Sequence, residues 1–416
     1  MRKTWQLPFF TIWTGQAFSL LGSHLVKFAL IWWLTESTGS AAVLATATTM
    51  GMLPTILLGP FAGTLIDRLK RKWVLILSDA STALFTVLLG LLFWLGIAQP
   101  WHVFLTILLR AVGDAFQNPT MMTTTAMMVP KEQLSRVAAM NQALQGILGF
   151  VAPGLGALLL ALAPMQGILA LDVVTAIIAI APLFFVAVPQ PAPRAKRMTP
   201  RSFLADTGFG FRYIWDYRGL RHFVGTGVVV YLTGMPMVAF VPLLITRHFQ
   251  GGATELALVQ SALGIGAILG GLIASVWGGF RRKMTTVVVG STVSVLGWLI
   301  VPLLPAQAYR IAVALYFVAA IAQAIRLAPT QAIMQSIIPP EVQGRVFSCD
   351  SSLRQASGPL ALFIAAPIAE AVGVRPVMVF GALGCLLATA LRYWIHDVYD
   401  IEDSVAPPVP VAAAEA

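Results

Sequence analysis

Residues 119–137 read PTMMTTTAMMVPKEQLSRV, and residues 329–346 read PTQAIMQSIIPPEVQGRV. Pro119, Pro130, Glu132, Arg136 and Val137 return as Pro329, Pro339, Glu341, Arg345 and Val346, 209 to 210 residues further along a chain of 416. The pair Arg71-Lys72 returns in the same way as Arg282-Lys283. The chain is therefore read as two copies of one unit, each made of long apolar runs. Duplicated apolar halves place a binding site between them in many secondary carriers, and the same is expected here.

Outward from the repeat, composition identifies the solvent. Hydrophobic residues make up 58% of the chain and charged residues 11%, with a mean hydropathy of +0.82. Soluble domains carry roughly 45–50% and 25%. A helix rising about 1.5 Å per residue needs about 20 apolar residues to cross the hydrocarbon layer. Twelve runs qualify, near 9–34, 41–65, 73–96, 102–127, 137–162, 166–188, 222–246, 255–278, 284–304, 309–333, 347–372 and 376–395. They lack the period-two alternation of barrel strands, so their backbone must hydrogen-bond within helices. The expected fold is all-α: a polytopic membrane protein with twelve transmembrane helices in two pseudo-symmetric six-helix bundles.

Charge sets the expected topology. With both termini cytoplasmic, nineteen lysines and arginines fall in inner segments and three, Arg247, Arg310 and Arg375, in outer loops. An odd number of spans would scramble that alternation. The asymmetry also accounts for much of the net charge of +10. These cations are spread over short loops without interleaved aromatics, which argues against a nucleic-acid partner. Met1–Pro8 ahead of an apolar run too long for a signal peptide reads as the lead of a retained first helix. The predicted organisation is an N-terminal bundle (1–188), a cytoplasmic linker with an amphipathic helix (189–221), a C-terminal bundle (222–395) and a disordered cytoplasmic tail (396–416). In the linker helix Phe203, Phe209, Phe211, Ile214 and Trp215 supply the apolar face.

Enzyme and cofactor signals are weak. Gly264, Gly266, Gly270 and Gly271 lie inside an apolar span with no preceding strand, and read as helix-packing positions rather than a nucleotide loop. Cys349 and Cys385 have no metal-ligand spacing. No cofactor, no metal and no enzymatic activity are expected.

Between the second and third spans stands GTLIDRLKRK, residues 63–72. It resembles the loop signature of the major facilitator superfamily, with Gly63 ahead of Asp67-Arg68 and a basic cluster at Lys70, Arg71 and Lys72; Lys70 stands where the commonest form has Gly. The resemblance implies that Asp67 meets the start of the eleventh span and closes the cytoplasmic side. Glu132 and Glu341, at equivalent points of the repeat, are expected to latch onto Arg71-Lys72 and Arg282-Lys283. Solvated loop acids are the alternative reading.

Several charges lie inside spans. Arg110 resembles the embedded arginine of the superfamily's fourth helix, and Asp114 follows it by one turn. An embedded charge is costly unless paired or hydrated, so both are site candidates, with Asp114 as the proton carrier and His24 as the next choice. Lys27 and Asp172 lie at matching depth, on helices that the superfamily packs side by side, and are expected to form a structural ion pair. Asp79 is expected to pair with Arg110.

A closer resemblance, over residues 5–395, is to the bacterial macrolide-efflux branch. It is carried by residues 9–41, by LLGPFAGTLIDRLKRK (57–72), VPKEQLSRVAAMNQALQ (129–145) and ALDVV (170–174), and by GRVFS (344–348). GILGFVAPGLGALLL (146–160) is similar to a degraded form of the Gly-Pro motif of proton-coupled exporters. The resemblance implies antiport of a drug-like or amphipathic solute, macrolide-type antibiotics included, against protons by a monomer in the bacterial inner membrane. Spans 1, 4, 7 and 10 would line the cavity, with Trp32, Phe116, Tyr231, Met235, Met237 and Phe240 offering apolar contacts. Lys27, Arg110 and Arg326 as cavity cations keep an anionic metabolite, siderophore or lysolipid open as substrate. A transport-inactive receptor or assembly subunit is the reading from another class.

Overall fold

The computed structural model describes residues 5–66, 69–186, 188–190 and 200–403, and every regular element among them is helical. The first half supplies α1 (Gln6–Thr38), α2 (Ala41–Ile66), α3 (Arg71–Trp94), α4 (Pro100–Met128), α5 (Leu134–Leu162) and α6 (Met165–Phe185). After α7 (Pro200–Asp216) come α8 (Arg218–Ala239), the single turn α9 (Val241–Leu243), α10 (Ala253–Trp277), α11 (Lys283–Ile300), α12 (Tyr309–Ile337), α13 (Pro340–Val372), α14 (Val374–Trp394) and α15 (His396–Tyr399).

Among the described residues, eleven helices are long and apolar enough to cross a bilayer. The expected twelfth, α4, has the length at 29 residues, but Arg110, Asp114, Gln117, Asn118 and a threonine-rich end dilute its apolar character. The same polar residues make it the centre of the site described below.

Local chemistry sets the helix ends. Gln99 and His102 cap α4 reciprocally, with Pro100 in the first turn where its missing N–H costs nothing. Pro119 in α4 and Pro329 in α12 each lie inside a continuous 29-residue helix at the repeated Pro-Thr pair. The following threonine behaves alike in both halves: the Thr120 hydroxyl donates to the Phe116 carbonyl at 2.6 Å, and that of Thr330 to the Arg326 carbonyl at 2.7 Å. Hydroxyls that bond back one turn bend helices, and prolines are tolerated in spans where local adjustments re-satisfy the backbone.

The seventh span departs from expectation. It was expected to run over 222–246, yet α8 stops at Ala239, the chain turns at Phe240 just ahead of Pro242 in α9, and a π turn covers Leu244–His248. Proline removes a donor and clashes with the preceding turn, which accounts for the break.

The chain divides into two compact units, Met1–Arg197 with Ile245–Ser261, and Met198–Leu244 with Ala262–Ala416. The segment 245–261 falls with the first unit and not with the expected 222–395 bundle. Arg247 donates from Nη2 to the Gly39 carbonyl, and Ser261 Oγ to the Phe150 carbonyl at 2.9 Å. In the first unit α1 packs mainly on α5 and α6, and α4 on α2 and α3. Ile12, Leu75, Ile76 and Leu183 form one buried apolar cluster there.

In the second unit α11 packs on α12 and α14, and α8 on α13 and α14. The expected linker helix exists as α7 and packs on α13, with Tyr213 and Ile214 buried, Arg345 over the Phe209 ring, and Phe211 and Trp215 exposed and stacked. Two glycines of α10 act as read from the sequence: a Cβ on Gly266 would stand 2.6 Å from the Phe317 carbonyl oxygen and one on Gly270 would meet the Ile321 carbonyl, whereas Gly271 has open space around it.

The tail needs correction. Residues 396–403, expected to be disordered, form α15 and a 3-10 turn at Ile401–Asp403. Val398 and Ile401 are fully buried against Leu220, Phe223 and Met284. Asp397, Asp400, Glu402 and Asp403 give the stretch a polar composition, yet these two apolar residues suffice to seat it. Residues 404–416 lie outside the described residues.

Candidate functional site

The first unit holds a polar network where lipid-spanning helices meet. Gln16, Ser19 and Ser23 repeat at helical spacing along α1, so they share a stripe. Facing groups come from α3 (Asp79, Thr86), α4 (Arg110, Gln117) and α6 (Asp172). Arg110 Nη1 donates to Asp172 Oδ2 at 2.5 Å and to Thr86 Oγ1, while Nη2 donates to Ser23 Oγ at 3.1 Å. Thr86 and Ser23 hydroxyls donate to the two oxygens of Asp172 at 3.2 and 3.4 Å. Asp172 is 2% exposed, so the carboxylate is both enclosed and satisfied.

Asp79, equally enclosed, has neutral partners. Gln16 Nε2 donates to Oδ2 at 2.8 Å, Gln117 Nε2 to Oδ1 at 2.8 Å and Ser19 Oγ to Oδ1 at 3.4 Å. Gln117 also donates to Gln16 Oε1 at 2.7 Å, which ties the two amides together. Asp114 is exposed and has no hydrogen bond or ion pair among the described residues; Arg110 and Lys27 are the cations whose charge reaches it.

Two predicted pairings are thereby overturned. Lys27 does not pair with Asp172: it is exposed, and the Asp172 oxygens are taken by Arg110 Nη1 and two hydroxyls. Asp79 does not pair with Arg110, which is spent on Asp172. For Lys27 and Asp172, equal depth constrains height along the bilayer normal but not the direction around each helix; Asp79 instead lies two turns from the level of Arg110 and meets Gln16 and Gln117 there. His24 is half-buried, near the charge of Lys27.

Gly63 falls in α2, but its surroundings, like Asp67 and Arg68, lie outside the described residues. Arg71 is buried and donates to the Thr123 carbonyl at 3.3 Å and to Met127 Sδ at 2.7 Å. Lys72 donates to the Phe184 carbonyl at 3.0 Å. The expected latch to Glu132 is not made: Glu132 is exposed with no ion pair among the described residues, and helix-end backbone oxygens serve the cations instead. The Glu341 side chain lies outside the described residues. At the equivalent place Arg282 pairs with Asp400 at 2.9 Å, and the Lys283 and Met284 N–H groups donate to Glu402.

The second unit contains a cavity of about 690 Å³. Tyr231, Met235, Met237 and Arg326, all named from the sequence, line it. Phe240 does not, being fully buried in protein; Trp32 is buried, and Phe116 packs against Ile66 and Val74 in the first unit. Around Arg326 stand Asp350, Arg354 and Arg392, with Ser291, Ser294, Gln323 and Trp298. Arg326 donates to Gln323 Oε1 from Nε at 3.3 Å and Nη2 at 3.0 Å. Arg354 Nε donates to Asp350 Oδ1 at 2.7 Å. Arg392 Nε donates to Thr226 Oγ1 at 2.8 Å, with the guanidinium 5.2 Å from the Phe223 ring centre. Among the described residues no three His, Cys, Asp or Glu side chains gather as metal ligands.

Charged networks inside membrane-length helices belong to machinery that handles solutes or ions, and comparison with known proteins gives that machinery a family. The family model of the Major Facilitator Superfamily matches residues 12–362 and again 222–410. The chain belongs to the Major Facilitator Superfamily. Macrolide efflux protein A of Streptococcus pyogenes is 30% identical over 373 residues, covering 90% of this chain and 92% of that protein. The multidrug efflux pump Tap of Mycolicibacterium fortuitum is 26% identical over 404 residues, covering 93% and 95%. A bacterial homologue of the human lysosomal transporter Spinster shares the fold at a TM-score of 0.75 and 14% identity, covering 98% of this chain and 100% of that one. The nucleoside transporter NupG does so at 0.71 and 12%, covering 93% and 98%.

Within this superfamily member the sequence reading missed Gln16, Ser19, Thr86 and Gln117 in the first unit and Arg392 in the second. A signal existed for Gln117: it lies two turns after Arg110 on the face that carries the charge. Asp350 and Arg354, one turn apart, were visible as embedded charges but were not joined to Arg326.

Proposed function

We propose that the chain exports drug-like or amphipathic small molecules across the bacterial plasma membrane by proton antiport and alternating access. The observation that carries this reading is the unequal partnering of three embedded carboxylates in one unit. Asp172 is bound to Arg110, Asp79 to two amides and a hydroxyl, and Asp114 to no group among the described residues. A carboxylate without a fixed cation gains or loses a proton without breaking an ion pair, so Asp114 is the proton carrier, with Asp79 beside it. Arg110 is a positioning residue that holds Asp172 and lends Asp114 its field. Gly63 and Asp67 supply the cytoplasmic gate, and both termini lie in the cytoplasm.

The Streptococcus pyogenes and Mycolicibacterium fortuitum relatives are efflux proteins, which supports export as the direction, and macrolide-type antibiotics are among the substrates to try. An efflux-deficient host carrying the chain should show raised resistance to part of an antibiotic panel. It should also accumulate less of the same compounds, with both effects lost on adding a protonophore. Unchanged accumulation across the panel refutes export, and protonophore-insensitive efflux refutes the coupling.

A further inference from the structure

The cavity of the second unit gathers three guanidinium groups and one carboxylate. Asp350 answers Arg354, while Arg326 and Arg392 find only neutral acceptors, an amide oxygen and a threonine hydroxyl. Arg326 Nη1 has no acceptor among the described residues. Cations at membrane depth are costly and persist where something pairs with them. Room has been made for them: a Cβ on Gly227 would collide with the Arg354 guanidinium. Beside them the Ser291 hydroxyl is buried with no hydrogen-bond partner, and it lines the same cavity. Polar groups enclosed in this way ordinarily have a partner, so each unspent donor points to an acceptor. Met235, Val295, Trp298 and Leu327 supply apolar wall, beside polar Thr330, Gln331, Ser351 and Gln355.

We propose that this cavity binds the acidic head of an amphipathic anion, a carboxylate or phosphate monoester, on Arg326, Arg392 and Ser291, with its apolar body along Trp298 and Leu327. Guanidinium forks match carboxylate and phosphate oxygens two at a time, which a lone amide oxygen cannot do. A basic amphipath, amine-bearing macrolides included, meets an excess of like charge there and would have to bind outside this cluster. The proposal deepens the export reading by naming a substrate class, and rests on that reading only for the step from binding to export.

The test uses the full chain in nanodiscs of neutral phosphatidylcholine, with dodecanoate, dodecyl phosphate, dodecanol and dodecyltrimethylammonium as probes, each below its micelle threshold. Dodecanoate and dodecyl phosphate should bind saturably and raise the melting temperature; dodecanol and dodecyltrimethylammonium should not. Arg326→Gln should weaken the anions by about tenfold or more. Equal binding of the cationic and anionic probes, or undiminished anion affinity in Arg326→Gln, overturns the proposal. The wild-type probe series decides even if the variant fails to fold. Adding phosphatidic acid, whose head is a phosphate monoester, to the nanodisc separates the sources. Competition with dodecanoate assigns the head group to a bilayer lipid, and no competition assigns it to a soluble solute. Flux of labelled dodecanoate in proteoliposomes is read separately, so binding without flux removes the export reading and leaves the site standing.

Discussion

Arg110 and Asp172 lie 62 residues apart in sequence and meet at 2.5 Å, the arginine side chain 11% exposed and the aspartate 2%. The pair joins α4 to α6, while Thr86 and Ser23 extend it to α3 and α1. Four helices of the first unit thus converge on one carboxylate, which makes that pair the mechanical reference for the other charges.

Removing one partner should be worse than removing both. Asp172→Asn leaves the guanidinium enclosed without its counter-charge, at a cost of about 3–5 kcal/mol for a buried pair. Arg110→Gln combined with Asp172→Asn should recover a large part of that loss. Thermal unfolding of purified variants in one detergent checks the order. A double variant melting below both single variants contradicts the pairing energetics.

Asp114 should behave in the opposite way. With no partner to lose, Asp114→Asn should leave the melting temperature close to wild type, within about 0.5 kcal/mol. Efflux should lose its dependence on the proton gradient. Everted vesicles with an imposed pH difference give the readout, and gradient-driven uptake at the wild-type rate removes Asp114 from the coupling role.

Asp79 separates the two roles. Its oxygens accept from Gln16, Gln117 and Ser19, all donors. Asp79→Asn turns an NH2 toward one donor and leaves that group unsatisfied, a cost of about 1–3 kcal/mol. Among the two asparagine variants, Asp79→Asn should therefore melt lower and Asp114→Asn should not. The reverse order contradicts the assignment of partners.

What the sequence disclosed follows from the physics of the bilayer. Apolar run length fixes helix existence because lipid offers the backbone no partners, and the repeat at Pro119-Thr120 and Pro329-Thr330 survives as the same hydrogen bond in both halves. Pairings were less legible. Lys27 was matched to Asp172 by depth and Arg110 to Asp79 as the available cation, and the rotation of each helix about its axis, which the sequence does not carry, gave Asp172 to Arg110. Polar side chains without charge give little sequence signal: Gln117 is marked only by sharing a helix face with Arg110, Gln16 not at all, yet both hold Asp79. In the second unit Arg326 stood out as a charge, while its grouping with Arg354 and Arg392 depends on three helices folding together.

The end of the described chain gives a graded test of how that unit closes. Glu402 accepts the N–H of Lys283 at 3.1 Å and that of Met284, so its carboxylate caps α11 from more than a hundred residues away in sequence. Ile401 is fully buried with Leu220, Phe223 and Met284, whereas the Arg282–Asp400 pair is 49% and 46% exposed. Exposed ion pairs contribute about 0–1 kcal/mol, a helix cap about 0.5–2, and a buried isoleucine cut to alanine about 2–5. The expected loss of stability therefore rises from Asp400→Ala through Glu402→Ala to Ile401→Ala, read as melting temperatures of the purified variants. Since anions favour a helix N-terminus, Glu402→Gln should fall between wild type and Glu402→Ala. If Asp400→Ala proves the most damaging, the exposed pair and not the buried turn holds the segment, and the capping argument fails.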